Sequence, residues 1–426
     1  LFDTYWTEWP GYSENENGVY DGTIDDDNYS PNYIGNTGAG FTEGEDFYPY
    51  YSYRKNAYDS FEGEIISQID KYNQFKFGLE YRFNDLKWDN KQFFNSQPYG
   101  EKYDVEPRYA AGFIQDKIEL GYMILNAGIR ADYLNAAINY WEDPVTKTTR
   151  GTADPKFELS PRFGISHPIA SNTVIHFNYG YFYQVPLYTY MYTNLQAELN
   201  SGFPIVGNPD MEPEKTVAYE FGLNHAISSD MTLKITSYSK DVSNLTSTRL
   251  IEYPGGSYTY YTNADYGSVK GLDIVMVKHH GSSLLAGSLN YSYMIAKGNA
   301  SYATEGYYDY FTQDDPPVWP DQEYPLAFDQ RHKLALNLDL AVPRGYKFKL
   351  FGMNMPSAWG LNTIFSYGSG MPYTKTDNLG NRIGPPNSGR LPAYYRVDLR
   401  FVKDFYLGFA NDTRFSFFVE VENLFD

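Results

Sequence analysis

Histidines are the side chains of this sequence best suited to chemistry at neutral pH, and they are few. The chain has His 6 and Cys 0 among 426 residues, which excludes a thiolate metal site and a disulfide framework. His279 and His280 could bind a metal, but no acid or cysteine lies near them in the sequence, so a solvated turn is the favoured alternative. We expect His176 on a polar strand face, and His332 with Asp329 in a polar cluster at the start of a strand.

Catalytic motifs are missing from the sequence. It contains no Gly-Xaa-Ser-Xaa-Gly elbow, phosphate loop or dinucleotide fingerprint, and its carboxylates do not form a recognisable glycosidase pair. Asp21, Asp25 and Asp27 could offer oxygens to calcium, but their spacing is not that of an EF-hand, and a solvated surface turn is the alternative. We therefore predict a protein that binds rather than catalyses, without a cofactor.

Aromatic side chains in two long connections, 186–213 and 298–327, are the candidates for ligand binding. The chain has Tyr 44 and Phe 28, and rings with a polar tip suit sugars, peptides or aromatic chelates. Alternatively, the rings pack on one another or lie at a membrane interface. The net charge of −19 excludes nucleic acid as a partner, because that needs a basic surface. The candidates are Tyr188, Tyr190, Tyr192, Phe203, Tyr307, Tyr308, Tyr310, Phe311 and Trp319.

Strands with two unlike faces must position these loops. In residues 328–342 every second residue from Leu334 to Leu340 is leucine, and the residues between them are small, polar or charged, a period of two that predicts a strand. The pattern recurs in about fourteen strands, most of about 11 residues or more. They are 61–70, 74–86, 108–119, 122–138, 158–168, 173–185, 214–227, 231–247, 258–279, 283–297, 329–342, 358–370, 393–406 and 412–424.

Connections alternate between short and long. Those within strand pairs are short, except 343–357, whereas those between pairs are long. This alternation is typical of outer-membrane barrels; soluble sandwiches use strands of about five or six residues. We therefore predict an all-β, antiparallel transmembrane β-barrel with long extracellular loops. The alternative, a large soluble sheet, would need helices to cover its apolar face. The long connections are 87–107, 139–157, 186–213, 248–257, 298–327 and 371–392.

The polar faces of the predicted strands are rich in charge. A dry core could not hold so many charged groups without a large desolvation cost, whereas a wet or plugged lumen could. The mean hydropathy of −0.53 agrees with strands that are apolar on one face only. The predicted lumen-facing residues are Lys76, Glu80, Arg82, Arg130, Asp132, Arg162, Glu220, Asp339, Arg396, Asp398, Arg400 and Glu420.

Several segments together resemble the C-terminal barrel of a TonB-dependent outer-membrane receptor of the Bacteroidota-like type. No single segment is decisive, but their order and spacing are specific together. They are AAGFIQDKIEL at 110–120, AGIRADYLN at 127–135, SPRFGISHPI at 160–169, FNYGYFYQVP at 177–186, NPDMEPEKTVAYEFGL at 208–223, GLDIVMV at 271–277, FDQRHKL at 328–334, SGMPYT at 369–374 and VENLFD at 421–426.

The resemblance implies a larger protein than this chain. Such receptors have about 22 strands around a plug, and the plug is preceded by a short box that TonB binds. Nothing here resembles the plug or the box, and the segment that opens at Leu1 does not resemble a signal peptide. We therefore expect a fragment, with about seven strands before residue 60 and one after 426 left out. Residues 1–58 are expected to form an acidic, Tyr-rich extracellular loop region, and 59–426 the C-terminal part of the barrel.

The implied function is TonB-dependent import of a ligand bound at the extracellular loops. Expected partners are TonB, outer-membrane lipid, a nutrient ligand (a glycan, a peptide or a metal chelate) and a surface lipoprotein lid. The acidic loops favour neutral or cationic ligands. Arg162, Arg396 and Arg400 would contact the plug or line a substrate path. A passive porin, and an adhesin or structural surface protein, are the alternatives.

Overall fold

Strands make up almost all of the regular structure. The computed structural model describes residues 2–7, 50–92, 99–199, 204–281, 283–305, 307, 322–347, 349–350, 353–378, 380, 382–407 and 413–425. A short helix, α1, spans Tyr188–Tyr192. The strands up to α1 are β1 (Phe2–Thr7), β2 (Tyr50–Gln68), β3 (Asn73–Gln92), β4 (Tyr99–Val105), β5 (Arg108–Leu120), β6 (Met123–Asn135), β7 (Asn139–Trp141), β8 (Arg150–Thr152), β9 (Lys156–Ala170) and β10 (Thr173–Gln184).

The second half of the chain continues the same pattern of long strands joined by short pieces. Its strands are β11 (Ile205–Val206), β12 (Glu214–Ser228), β13 (Met231–Tyr253), β14 (Gly256–Lys278), β15 (Leu285–Gly298), β16 (Tyr324–Pro325), β17 (His332–Val342), β18 (Lys349–Leu350), β19 (Met353–Asn354), β20 (Trp359–Gly368), β21 (Pro372–Tyr373), β22 (Gly389–Arg390), β23 (Tyr394–Leu407) and β24 (Thr413–Val421).

One 18-stranded sheet contains all the long strands. Its frame is an antiparallel meander in which each strand pairs with the next, in the order β2, β3, β5, β6, β9, β10, β12, β13, β14, β15, β17, β20, β23 and β24. These are the fourteen strands predicted from the alternation, so the all-β antiparallel prediction is confirmed.

Strand structure extends into the predicted loop region and into the predicted connections. The segment 1–58, predicted as loop, contains β1 and the first residues of β2. Within 87–107, β3 continues to Gln92 and pairs with β4. Within 248–257, β13 and β14 run on to a two-residue turn whose Gly255 has a φ of 130°, a value that favours glycine. The strand extensions in 87–107 and 248–257 were not predicted because both segments have the composition of a loop. Backbone hydrogen bonds can extend a two-stranded ribbon beyond a membrane whatever polar side chains it carries.

Strand register produces a continuous apolar face. Ile118, Leu125, Ile165, Phe177 and Phe221 are aligned partners across five neighbouring strands. Large apolar side chains on this face are exposed, Phe221 by 53%. Exposure of so continuous an apolar surface marks a lipid-facing or partner-facing side. We call it the apolar face, and the opposite side the charged face.

The buried core lies among the connections, at the end of the sheet away from the short turns. It contains Leu86 of β3, Leu134 of β6, and Met191 and Tyr192 of α1, with Tyr261 of β14 packed among them. A membrane barrel buries apolar side chains against lipid, so its internal core can lie in its loops. This core holds the connections in fixed positions above the charged face.

We predict that an arginine on the apolar face destabilises the protein and one on the charged face does not. Leu336 is aligned with Leu289 and Phe365 on the apolar face. Leu336→Arg should cost about 2 to 4 kcal/mol in urea unfolding from lipid bilayers, because the charge enters hydrocarbon. Ala335→Arg, one residue away on the charged face, is the control. Equal losses would contradict the assignment of the two faces.

Candidate functional site

Four predicted lumen-facing residues form one hydrogen-bonded cluster on β3 and β6. Arg130 Nε donates to Asp132 Oδ1 over 2.8 Å, and Arg130 Nη2 lies 3.5 Å from Glu80 Oε2. Arg82 Nη2 donates to Glu80 over 2.8 Å, and the Tyr109 hydroxyl donates to Asp132 over 2.5 Å. Each carboxylate therefore has a cationic partner, and this part of the charged face is electrically balanced.

A second group of predicted residues lines an open cavity of about 880 Å³ on the charged face, which we call the wall cavity. Lys76, Arg162 and Glu220 lie on it, together with Lys240, which the sequence analysis missed. Its floor consists of residues with small side chains, which leave the space open. These are Gly128, Gly164, Gly180 and Ala218.

The remaining predicted residues of the charged face lie farther along the sheet. Asp339 Oδ2 lies 2.8 Å from His280 Nε2. The sequence showed no acid near His280, because its acidic partner comes from another strand. Arg396 Nε donates to Asp398 over 2.8 Å. Arg400 lies over the ring of Phe418, 5.5 Å from its centroid.

The predicted ligand-binding tyrosines of α1 belong to the loop core. Tyr192 is fully buried and its hydroxyl donates to the Ala136 carbonyl over 3.1 Å. Tyr188 stacks on Tyr192 at 5.9 Å, and Tyr190 stacks on Tyr261 at 4.8 Å. Their rings thus hold connections together, as the alternative stated. A role in ligand binding stays a prediction for all three.

Most of the other candidates lie outside the residues that the structure describes. Tyr307 lies within them and is partly buried. Across the described ranges, no three histidine or acidic side chains are grouped so that they could hold a metal ion. The candidates that lie outside the described residues are Phe203, Tyr308, Tyr310, Phe311 and Trp319 for ligand binding, and Asp21, Asp25 and Asp27 for calcium.

A cavity of about 490 Å³ among the long connections, which we call the outer cavity, was not predicted. Trp141 and Arg150 are partners in the β7–β8 hairpin, and the guanidinium lies 4.3 Å from the indole centroid. Asn139 and Gln196 also line the cavity. Asp143 closes the hairpin by accepting from the backbone N–H of Val145 over 2.9 Å. A tryptophan beside an Asx turn was the signal available in the sequence.

The family follows from a comparison over nearly the full chain. The sequence model of the family described as TonB dependent receptor-like, beta-barrel, matches residues 2–424. The chain belongs to this family of TonB-dependent receptor barrels. The resemblance to the barrel of TonB-dependent receptors is thereby confirmed.

Solved structures agree on the fold of this receptor barrel. The outer membrane transporter YddB from Escherichia coli superposes with a TM-score of 0.60 at 14% identity, over 88% of this chain and 51% of that one. The FrpB iron transporter (F3-3 variant) from Neisseria meningitidis gives 0.54 at 12%, over 88% and 50%. The copper transporter OprC gives 0.56 at 14%, over 88% and 52%. The chain spans about half the length of these transporters, and no curated protein matches it.

Membership of the family allows the apolar and charged faces of the sheet to be compared with the two sides of an outer-membrane barrel. Barrels of this family lie in the outer membrane and act as receptors and transporters. The apolar face has the character of the lipid-facing side of such barrels, and the charged face has that of the lumen side. Among the described residues, no helix has the length and apolarity needed to cross a membrane.

A buried carboxylate ties two long connections of the receptor together. Asp329 is fully buried, accepts from Arg331 Nε over 2.8 Å and from the Ala296 backbone N–H over 2.7 Å, and also pairs with Arg390. Asp329 was predicted at the start of a strand, but it precedes β17, which begins at His332. Its carboxylate joins the connections before β17 and before β23.

A second carboxylate is buried near the outer end of β14. Asp265 is 5% exposed, and its Oδ1 accepts from the Asn299 side chain over 2.9 Å, while no hydrogen-bond partner is described for Oδ2. Burial raises the pKa of Asp265 to about 6, and the nearby Glu305 adds to the increase. A strand needs about 9 to 11 residues to cross a membrane. Counted backwards along β14 from the short turn before β15, Asp265 lies beyond that length and therefore outside the crossing segment.

We predict that Asp329→Asn loosens these connections without unfolding the sheet. The loss of one charge leaves Arg331 and Arg390 without their anion, at a cost of about 1 to 3 kcal/mol, because both arginines are partly exposed. Hydrogen exchange should accelerate in 369–393. Glu323→Gln, an exposed acid in the same connection, should leave exchange unchanged. Unaltered protection in Asp329→Asn would refute the role.

We predict that Asp265 makes the receptor less stable as pH rises. The folded-state pKa lies above the ordinary aspartate pKa of 3.8, so the folded state binds the proton more tightly, and stability falls as pH rises from about 4 to about 6. Asp265→Asn should flatten this slope and add about 1 to 3 kcal/mol at pH 7. Thermal unfolding in detergent between pH 4 and 7 measures both. An unchanged slope would contradict the assignment.

Proposed function

We propose that the chain is part of the wall of an outer-membrane receptor that imports a bound cargo with energy delivered through TonB. The observation that carries the proposal is the family match over residues 2–424. The meander supports it, since short turns alternate with long connections as in barrels whose loops face outside. We place the connections that hold the loop core on the exterior of the cell. TonB would act through a plug segment, which this sequence does not include.

We propose that cargo docks first at the outer cavity. Trp141 offers an apolar ring beside the guanidinium of Arg150, and the amides of Asn139 and Gln196 supply donors and acceptors. A ring with polar groups around it suits glycans, peptides and metal chelates alike. FrpB and OprC are iron and copper transporters, but at 12% and 14% identity the likeness is of fold. A surface lipoprotein lid over the loops is compatible with all three cargo classes.

Transport can be tested before the cargo is known. Cells that carry the full-length gene should remove specific compounds from a complex medium, and cells without the gene should leave these compounds behind. Mass spectrometry of the medium measures the difference. Deleting tonB should abolish depletion, because a plugged barrel does not conduct passively. Depletion that continues at the same rate without TonB would identify a passive porin instead. No depletion with or without TonB would favour an adhesin.

We predict that Trp141→Ala weakens binding of the depleted compound about 5- to 30-fold, the worth of one ring contact of roughly 1 to 2 kcal/mol. Tyr122→Ala is the matched control, because Tyr122 is 60% exposed and lies in a short turn at the opposite end. Surface binding to whole cells lacking TonB separates docking from transport. Equal binding by both variants would remove the outer cavity from the path.

A further inference from the structure

The wall cavity reverses the charge balance of the chain. The whole sequence has Asp+Glu 53 and Lys+Arg 34, whereas the described cavity lining includes four cations and one carboxylate, namely Lys76, Arg130, Arg162, Lys240 and Glu220. Such an excess of cations on a lumen surface of an acidic protein attracts anions locally.

Two of these cations already have an acid. Lys76 Nζ lies 2.7 Å from Glu64 Oε2, and Arg130 is bound in the cluster with Asp132. In the part of the chain that the structure describes, neither Arg162 nor Lys240 forms an ion pair. Lys240 Nζ lies 5.7 Å from the centroid of Tyr238, a ring contact that leaves its charge without a counterion among the described residues.

Strand register places these two cations in one row across four neighbouring strands. Arg162 is aligned with Gly180, Gly180 with Ala218, and Ala218 with Lys240. Three strand spacings separate the two backbones by about 14 Å. A Cβ added at Gly180 would lie 3.2 Å from Arg162 Cγ and 3.4 Å from Phe182 Cε2, so the arginine and this ring both lie beside the Gly180 position.

The guanidinium of Arg162 lies over an aromatic ring, and no carboxylate of the described residues pairs with it. Arg162 Cζ lies 4.5 Å from the centroid of Phe182, and stacking orients a guanidinium without using its donors. Glu220 does not neutralise it, since Glu220 Oε1 is 3.3 Å from His176 Nε2 and 3.4 Å from Asn178 Nδ2. An arginine oriented by an aromatic ring and a lysine on the same cavity, neither paired with an acid among the described residues, can together bind an oxyanion.

We propose that Arg162 and Lys240 form an oxyanion-binding site on the lumen wall, with a carboxylate or phosphate group as its ligand. The group can come from an anionic cargo in transit, or from an aspartate or glutamate of another segment of the full-length protein. The proposal does not depend on TonB-driven import, because it concerns binding alone.

The first arm of the test uses inorganic phosphate and the full-length receptor in detergent. Phosphate replaces chloride at constant ionic strength, and calorimetry measures binding. Wild-type protein should bind phosphate saturably, and Arg162→Gln and Lys240→Gln should each weaken binding about tenfold or more. Lys234→Gln, which removes an exposed lysine of β13 outside the wall cavity, should bind as wild type. An equal loss in Lys234→Gln would show a general charge effect and overturn the site.

The second arm identifies a carboxylate supplied by the protein itself. A carbodiimide joins a lysine directly to a carboxylate in contact with it, and mass spectrometry identifies the linked peptides. A link from Lys240, weakened in Arg162→Gln and absent from the exposed control Lys234, would assign the oxyanion to the receptor. Phosphate binding without this link would assign it to a free anion. Neither phosphate binding nor the Lys240 link would overturn the proposal.

Discussion

Hydrogen-bond register between antiparallel strands is the constraint on which the structure depends. Because side chains alternate with a period of two, a slip of one residue would move Phe221 and its aligned partners to the charged face. The register that aligns Ile118 with Leu125 and Leu125 with Ile165 also aligns Arg162 with Gly180. The apolar face and the charged face thus arise from one set of backbone bonds.

Small residues on the charged face give that surface its shape. Glycine within a strand normally weakens it, and a Cβ at Gly164 would lie 2.7 Å from Asn178 Oδ1. These positions let long polar side chains lie along the wall. Where a carboxylate lies beside a cation, as Glu80 and Asp132 do, the positive charge is neutralised. Arg162 has no such partner among the described residues, and we propose it as part of a site for an external anion.

The connections behave as a small domain with a core of its own. Tyr192 and Met191 are buried as completely as in a soluble protein, and Asp329 fastens the neighbouring connections through two arginines. Fixed loops can present a preformed surface such as the outer cavity. Rings that build the core are therefore distinct from rings that remain available, such as Trp141.

The sequence by itself determined the fourteen strands, their two faces and the family, because alternation is local and recurs along the chain. It also separated Lys76, Arg162 and Glu220 from the apolar side. Only the tertiary structure decided which charges come together, since Asp339 pairs with His280 from another strand, and Arg162 and Lys240 line one cavity although they are far apart in sequence. It also decided that Tyr192 is buried while Trp141 borders a cavity, because burial depends on how the connections fold over one another and composition does not encode that.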